Sequence, residues 1–529
     1  MSVGQATGRQ AGVQPALVEG RTYGNWSRPR TPGLPRLGLI GTVLALGALV
    51  LVVLVQAAAG LLAGLAVAVV AGLVLAPLAW RNRAGRHGWQ VLAATLAWQA
   101  GRRRRQHVYL AALAGPVAFG ACRLPGLLAP SRLVEAWDGY GQPFALVHVP
   151  AARHYTVLLA LDPDGSALVD QDTVDTWVAH YGRFLADLAH EPGLVAATAT
   201  VETSPDPGFR LAAEVDRLLA PTAPALSARV LGEAAATYPR GSAVVRAHVA
   251  FTFTARRADT GEKERLARRG PGEAATSRLR TADEMATLVG ARLPGLVRAL
   301  STTGAGAARA MDAAGVAELV RTAYDPAVAE HVEALAAAGQ PSGVCWEQAG
   351  PAAAEERHGS YCHEQAASVT WSMAGAPKGA VDSRVLTDLL AAHDDVTRKR
   401  VTLLYRPHDA ASSAAIADAD VRTALGRATA RAGEGKASES AQLSSARQAA
   451  REEAAGAGLS RFSMLVTATV ADPAGLAQAA ETVDQLGRAS RVLLRRCYGA
   501  QSASFAAALG VGVVLPAHVS VPDVLRDYL

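Results

Sequence analysis

From Leu37 to Trp80 the chain carries no Asp, Glu, Lys or Arg. That run constrains the fold more than any other feature, because it is too long for one membrane span and fits two. Leu37–Val55 is 19 residues, about 28 Å as a helix, and Leu61–Trp80 is about 30 Å. Between them Gln56-Ala57-Ala58-Ala59-Gly60 offers a break with one polar side chain and a glycine. The thirteen Leu, Ile and Val residues of the first segment favour insertion by about 4–8 kcal/mol. Core helices of soluble domains are rarely this long and this free of charge, and two in a row are rarer. The small residues Ala57-Ala58-Ala59 would suit a signal-peptide cleavage site, but the run begins after 36 residues and a second apolar segment follows at once. The expectation is a pair of transmembrane helices over residues 37–80.

Arginine sets the orientation. Residues 1–36, a cytoplasmic N-terminal tail, hold Arg9, Arg21, Arg28, Arg30 and Arg36 against Glu19. Beyond the second span come Arg81, Arg83, Arg86 and then Arg102-Arg103-Arg104-Arg105, with no acid before Glu135. The positive-inside rule places both flanks in the cytoplasm, giving a multi-pass hairpin in the cytoplasmic (inner) membrane with both termini inside. Tyr23, Trp26 and Trp80, with Trp89 and Trp98, suit the headgroup layer. The expected membrane-interface set is therefore Tyr23, Trp26, Arg28, Arg30, Arg36, Trp80, Arg81, Arg83, Arg86 and Arg102–Arg105. Pro29, Pro32 and Pro35 keep the approach non-helical, and Gly60 and Gly64 form a GxxxG pair that permits close helix packing.

The formal charge of +6 is segregated: residues 1–105 contain twelve Arg and one Glu, and the rest 40 basic and 45 acidic side chains. Basic excess beside a membrane selects anionic lipid as the partner. Only His107 and Tyr109 accompany the Arg102–Arg105 run, so no direct nucleic-acid binding is expected. The four cysteines, Cys122, Cys345, Cys362 and Cys497, fall in the expected cytoplasmic part, where disulfides are disfavoured.

The remainder reads as α+β. Residues 81–130 form a basic juxtamembrane connector, in which Gly88–Ala100 suits a helix on the membrane surface. A first module spans 131–330. Phe144–Pro150 and His154–Leu161 are strands, Asp162–Gly165 a turn, and Thr173–His190 a helix with Asp172 as N-cap. Val195–Glu202 and Ala243–Thr254 are further strands, Leu211–Leu219 and Asp283–Leu300 helices, and Gly315–Tyr324 a helical pattern; the helices are expected on one face of the sheet. Arg256–Arg278 is a charged loop. A second module spans 331–529, with strands at Ser368–Met373, Val401–Pro407 and Phe462–Val470. Asp409–Gly458, broken at "GEGKAS", reads as a projecting helical hairpin. A helix to Arg488, a strand in "RVLLRRCYG" and the segment "GVGVVLP" complete it. Strand–helix–strand order recurs in both halves without a residue-level repeat.

No chemistry-bearing motif closes. "GEGKAS" (Gly433–Ser438) fails as a phosphate loop, because Ala430 stands where glycine is needed and Ala437 where a hydroxyl must reach Mg²⁺. His190-Glu191 and His363-Glu364 lack the second histidine of a zinc helix. Cys345, His358, Cys362 and His363 lie close in sequence but match no usual zinc spacing. There is no G-x-S-x-G elbow and no G-x-G-x-x-G between strand and helix. No catalytic residue, metal or cofactor is expected; a membrane-tethered metal enzyme built on the Cys345–His363 cluster is the rival reading.

"RTYGNWSRPRTPGL" ahead of a two-span hairpin resembles a family of actinobacterial membrane proteins of mobile-element and secretion loci. The hairpin is similar to the small inner-membrane subunit of type IV secretion systems. "TWVAHYGRFLADLA", "TWSMAGAPKGAVDSRVLTDLL" and "FSMLVTATVADPAGLAQAAETVDQLGRASRVLLRRCYGAQSASFAAALGVGVVLP" resemble the N-terminal, non-motor domain of the large type IV secretion ATPase. In outline the chain is also similar to EccE of type VII secretion, which has two N-terminal spans and a cytoplasmic α+β domain. The resemblance implies a non-enzymatic scaffold subunit of a secretion or conjugation apparatus. Its partners would be membrane lipids, a secretion ATPase on a separate chain and other channel subunits within an oligomeric complex.

Overall fold

The computed structural model describes residues 21, 23–24, 38–80, 88–111, 121–165, 168–206, 208–237, 243–257, 279–377, 379, 381–429 and 437–519. The fold mixes helix and sheet. Two apolar helices come first, α1 (Gly38–Ala59) and α2 (Leu61–Ala79). Gly60, at φ +86°, turns the chain between them. A Cβ on Gly64 would stand 2.8 Å from Cβ of Gln56, so the two helices approach each other there only because Gly64 has no side chain. Gly41–Ala59 is long and apolar enough to cross a membrane, and Leu61–Ala76 is a shorter apolar helix.

A third helix, α3 (Gly88–Arg103), leads into a single antiparallel sheet of 13 strands. The strands are β1 (Val108–Leu110), β2 (Arg132–Trp137), β3 (Pro143–Val149), β4 (His154–Asp162), β5 (Leu194–Pro205), β6 (Ala243–Thr254) and β7 (Ala307–Ala310), then β8 (Ala353–Glu356), β9 (Tyr361–His363), β10 (Ala366–Gly375), β11 (Arg398–Pro407), β12 (Ser460–Val470) and β13 (Leu493–Arg496). Their spatial order is β1-β8-β9-β10-β12-β11-β5-β6-β4-β3-β2, with β13 on β10 and β7 on β4. The strands expected over 131–330 and 331–529 thus meet at one seam, β5 against β11.

The helices between strands repeat in order. The first half carries α4 (Gln171–Asp187), α5 (Phe209–Leu218), α6 (Ala225–Thr237), α7 (Ala282–Leu300) and α8 (Ala313–Tyr324), followed by α9 (Val328–Ala337). The second carries α10 (Thr387–Leu390), α11 (Ala410–Thr429), α12 (Ala437–Ala454), α13 (Leu476–Ala489) and α14 (Gln501–Ala508). Hairpin, helix, inner strand, helical pair, strand, helix, short strand and helix recur in both. Between β5 and β11 lies the pair Thr200–Thr402. Counting outward, β6 places His248 beside Thr200, and β12 places Leu465 beside Thr402. Four residues further along, Thr252 faces Thr156 and Thr469 faces Ser368. Both pairs are hydroxyl–hydroxyl hydrogen bonds, at 3.0 and 2.7 Å. The fold is an internal duplication about an approximate two-fold axis through Thr200–Thr402.

Side chains alternate across the sheet. Val157 and Leu159 join an apolar cluster under α4 and α7, with Phe184, Phe251 and Leu293. Trp371, Val466 and Val483 form its counterpart under α13. Leu158 points the other way, into a cluster drawn from both halves: Tyr324 of α8, Tyr361 of β9 and Phe505 of α14. Helices therefore cover both faces of the sheet, not the one expected. Asp170 rather than Asp172 precedes α4, while Thr281 closes a capping box with Glu284 at the start of α7. The charged loop expected at 256–278 and the glycine turn at 433–436 lie almost wholly outside the described residues.

Candidate functional site

The N-terminal helices expose their apolar side chains. Leu46, Leu49, Leu54, Leu62, Leu65 and Leu73 are all more than half exposed. From Thr42 to Ala59 no residue is fully buried. Water-facing leucine on this scale needs another apolar medium or partner to cover it. Trp80 ends α2 and is exposed.

α3 is amphipathic and fixed on one side. Its Trp98 ring meets His358 edge-on, with centroids 5.8 Å apart. His358 in turn stacks on Tyr498 at 5.3 Å. Gly499, at φ +70°, donates its N–H to the His358 carbonyl at 2.8 Å. On the other side Leu92 and Leu96 are exposed. The helix ends in Arg102 and Arg103, where cations suit the carbonyl end of the helix dipole. Arg104 and Arg105 follow in the turn, and all four arginines are exposed. Gln106 and His107 then separate the run from β1, which pairs with β8 from Val108↔Glu355 to Leu110↔Ala353. One part of the expected connector, Val108–Leu110, is thus an edge strand of the sheet. The neighbouring Glu356 accepts from the Ser502 N–H and hydroxyl of α14, at 3.1 and 2.7 Å.

Of the expected interface residues, Trp26, Arg28, Arg30, Arg36, Arg81, Arg83 and Arg86 lie outside the described residues. Trp80 meets the start of α3, its carbonyl accepting from the Gly88 N–H at 2.9 Å, while Arg102–Arg105 lie at the helix's other end. Tyr23 departs from expectation. Its backbone forms a bridge with Val381, and its hydroxyl donates to Asp175 Oδ1 of α4 at 3.1 Å. That phenol is held by the body rather than offered to a headgroup layer.

The rival cluster does not converge. Cys345 is exposed and His358 sits in the aromatic stack. Cys362 and His363 are successive residues of β9 and so face opposite ways. His363 Nδ1–H donates to the Tyr324 carbonyl at 2.5 Å, which leaves Nε2 to accept from the Ser368 hydroxyl at 2.7 Å. This Ser–His pair has no exposed surface, and burial lowers the His363 pKa to about 4. Among the described residues no three His, Cys, Asp or Glu side chains gather to hold a metal ion.

A second constellation was not read from the sequence. At the β5–β11 seam Glu202 is shared by Arg398, at 3.1 Å, and by Arg400. Beside it the buried Glu333 of α9 is shared by Arg210, at 2.8 Å, and by Arg246. Glu202 loses hydration on burial, yet the two guanidiniums outweigh that and hold its pKa at about 2. The Lys399 side chain points to the opposite face. Its ammonium donates to the Ala391 carbonyl, and burial pushes its pKa down to about 8. The signal for this cluster was available: charged residues inside the strand sequences "TVET", "VVRAHV" and "RKRV".

A family model described as "Domain of unknown function (DUF8461)" matches residues 30–90, which takes in α1, α2 and the first residues of α3. No curated protein matches the chain.

Proposed function

We propose that this chain is a non-enzymatic scaffold subunit of a type IV-like secretion or conjugation apparatus. In this reading α1 and α2 span the cytoplasmic membrane as a hairpin with both termini inside. The α+β body, with α11 and α12 projecting from it, docks an ATPase carried on a separate chain. One observation carries the anchoring: the apolar pair α1–α2, with most of its large side chains exposed, is followed by α3, which leads into an edge strand of the sheet. An anchor built this way holds the sheet at a set distance from the lipid, with Leu92, Leu96 and Arg102–Arg105 turned outward. The sequence resemblance to secretion components supports the choice of apparatus.

Cys345 makes the topology testable without engineering, because its thiol is exposed on the body. In intact cells a membrane-impermeant maleimide should leave Cys345 unmodified; permeabilisation should expose it, and Cys345→Ser should remove that signal. Modification from outside overturns the topology. Cross-linking in cells should join the body to a P-loop ATPase. Recovery of the chain in membranes without such a partner would retain the anchor and discard the docking role.

A further inference from the structure

The duplication makes the outer strands of the two halves comparable. β8 and β2 are equivalent, and the pair Glu356↔Tyr361 in one corresponds to Leu133↔Val147 in the other. β8 is covered on its outer side by β1. Its Glu356 N–H donates to the His107 carbonyl at 2.7 Å, and its neighbour's Ala111 N–H donates to the Ala352 carbonyl at 2.7 Å. In an antiparallel pair, residues alternate between those that bond the neighbouring strand and those that face away from it. The Asp138 N–H donates to the Gln142 carbonyl at 2.9 Å, so Ala136, Val134 and Arg132 are the residues of β2 that bond β3. The Ala145 N–H agrees, turning from its partner Glu135 to the Met311 carbonyl at 2.9 Å. Leu133, Glu135 and Trp137 therefore turn their N–H and C=O groups outward. Among the described residues nothing bonds these groups.

The edge is closed at one end only, where Trp346 Nε1 takes the Ser131 carbonyl. An open edge is a template for another strand, and chains commonly blunt it with lysine, proline or a bulge. β2 has none of these: its sequence is "RLVEAW" and its register with β3 is unbroken. Trp137 at its far end and Tyr140 in the turn that follows are 65% and 75% exposed, so two aromatic rings flank the open stretch. Glu135, in the middle of that stretch, is exposed as well.

We propose that the outer edge of β2 accepts an extended segment of a partner chain, of the kind that β1 supplies to β8: arginines followed by a short apolar strand. Main-chain bonds to Leu133, Glu135 and Trp137 give the affinity, and an arginine of the segment meets the Glu135 carboxylate. A second copy of this chain is the poorer occupant. Two β2 strands overlapping fully would pair antiparallel about Glu135 and set like charges face to face. The β1 strand of a second copy is already spent on its own β8. The edge is open whether or not the apolar helices span a membrane, so its occupancy stands apart from the secretion reading.

The test uses the full-length protein in a non-ionic detergent, where β8 is already occupied. The probe is a synthetic peptide of residues 102–111, which contain the arginine run and β1, with both ends blocked. Binding is followed by the fluorescence anisotropy of a labelled peptide and by amide hydrogen exchange. The outward amides of Leu133, Glu135 and Trp137 have no acceptor and exchange fast in the free protein. The expected result is saturable binding that slows exchange over residues 131–138 and leaves β8 unchanged. Glu135→Pro removes an N–H that bonds nothing in the fold, a substitution edge positions accept, and should weaken binding at least tenfold. Glu135→Gln keeps the N–H and loses only the charge, so it should weaken binding less than Glu135→Pro does. No saturable binding below about 1 mM, no protection over 131–138, or equal affinity of the two variants overturns the proposal. Concentration-dependent dimers that Glu135→Pro abolishes would also overturn it, by giving the edge to a second copy. Should Glu135→Pro fail to fold, the exchange pattern of the wild type still decides it.

Discussion

The two halves of the sheet share an element order and differ in what they carry. The first places a 17-residue helix, α4, between its hairpin and inner strand; the second places the four residues of α10 there. The helical pair of the first half is short and leaves Leu218, Leu226 and Val230 exposed. That of the second, α11 and α12, is 20 and 18 residues long. The outermost strand of the second half, β8, is paired by β1, which arrives from the apolar hairpin. Among the described residues no strand is added outside β2 in the first half; there Ser131 gives its carbonyl to Trp346 Nε1 at 3.3 Å. So the second half receives the strand that follows the apolar helices, and the first half receives something from the second. After α14 the chain runs from Leu509 to Val514 over the first half's threonine-lined face. The common core makes each half a ligand of the other, and this is what mutation can separate.

The largest effect should come from that crossing segment. Gly512 sits at φ +97°, and a Cβ there would stand 2.0 Å from Thr156 Oγ1. Gly510, at φ +70°, would put one 2.6 Å from Thr200 Oγ1. Gly512→Val therefore combines backbone strain with overpacking and should cost about 3–5 kcal/mol. Gly475→Ala is the control, since nothing lies within 4 Å of its would-be Cβ and its φ is −75°. Denaturant midpoints measure both. If the two variants unfold together near the wild-type midpoint, the segment does not brace the first half.

Much of this architecture could be read from the chain, and the misses are physical. β3, β4, β6, α7 and the α11–α12 pair fall within a few residues of the patterns that announce them, because each alternates or repeats over many residues. The misses are short or depend on distant partners. β1, β7, β8 and β9 are three or four residues long, too few for a period to show. The recurring element order was legible, but not its register, because equivalent positions hold different residues, His248 against Leu465 for example. What recurs is hydrogen-bond register. The arginines beside the apolar segments announced the connector, but not that it closes the sheet edge. The seam cluster stayed hidden because Glu202, Glu333, Arg246 and Arg398 meet only once β5, β6, β11 and α9 are in place.

Acid should act on the halves unequally. Burial lowers the pKa values of His154, His248 and His363 to about 4. The residues at the equivalent positions are Ala366, Leu465 and Val149, all apolar. Two of the three histidines thus belong to the first half. For His154 the neighbouring His518 and Arg256 add to burial; for His248 Arg400 adds, while Glu202 and the Leu509 carbonyl oppose. A depressed histidine pKa means the unfolded chain takes up protons first as pH falls. The stability is therefore whole above 6.5 and is lost between 6.5 and about 4, by up to about 3 kcal/mol for each buried ring. His248→Leu borrows the other half's residue. It should cost about 1 kcal/mol at pH 7.5, through the lost bond to the Leu509 carbonyl. It should also flatten the decline toward pH 4. Urea midpoints at pH 7.5, 5.5 and 4.5 decide it, and an unaltered pH slope would remove His248 from the account.

The smallest effect probes the axis itself. The Thr200 hydroxyl donates to Thr402 Oγ1 at 3.2 Å, and Thr402 donates to the Ala508 carbonyl of α14 at 2.6 Å. Only Thr402 therefore reaches the helix, so the pair is symmetric in position but not in bonding. Thr200→Val removes a donor and leaves Thr402 satisfied, at a cost of about 0.5–1 kcal/mol. Thr402→Val strands a buried carbonyl as well and should cost about 1–3 kcal/mol. Once Thr402→Val is in place the Thr200 hydroxyl has no Thr402 partner left to lose, so the two single costs should sum to more than the double variant shows. Strict additivity, with equal single costs, would mean that the two hydroxyls act independently and that the seam treats its halves alike.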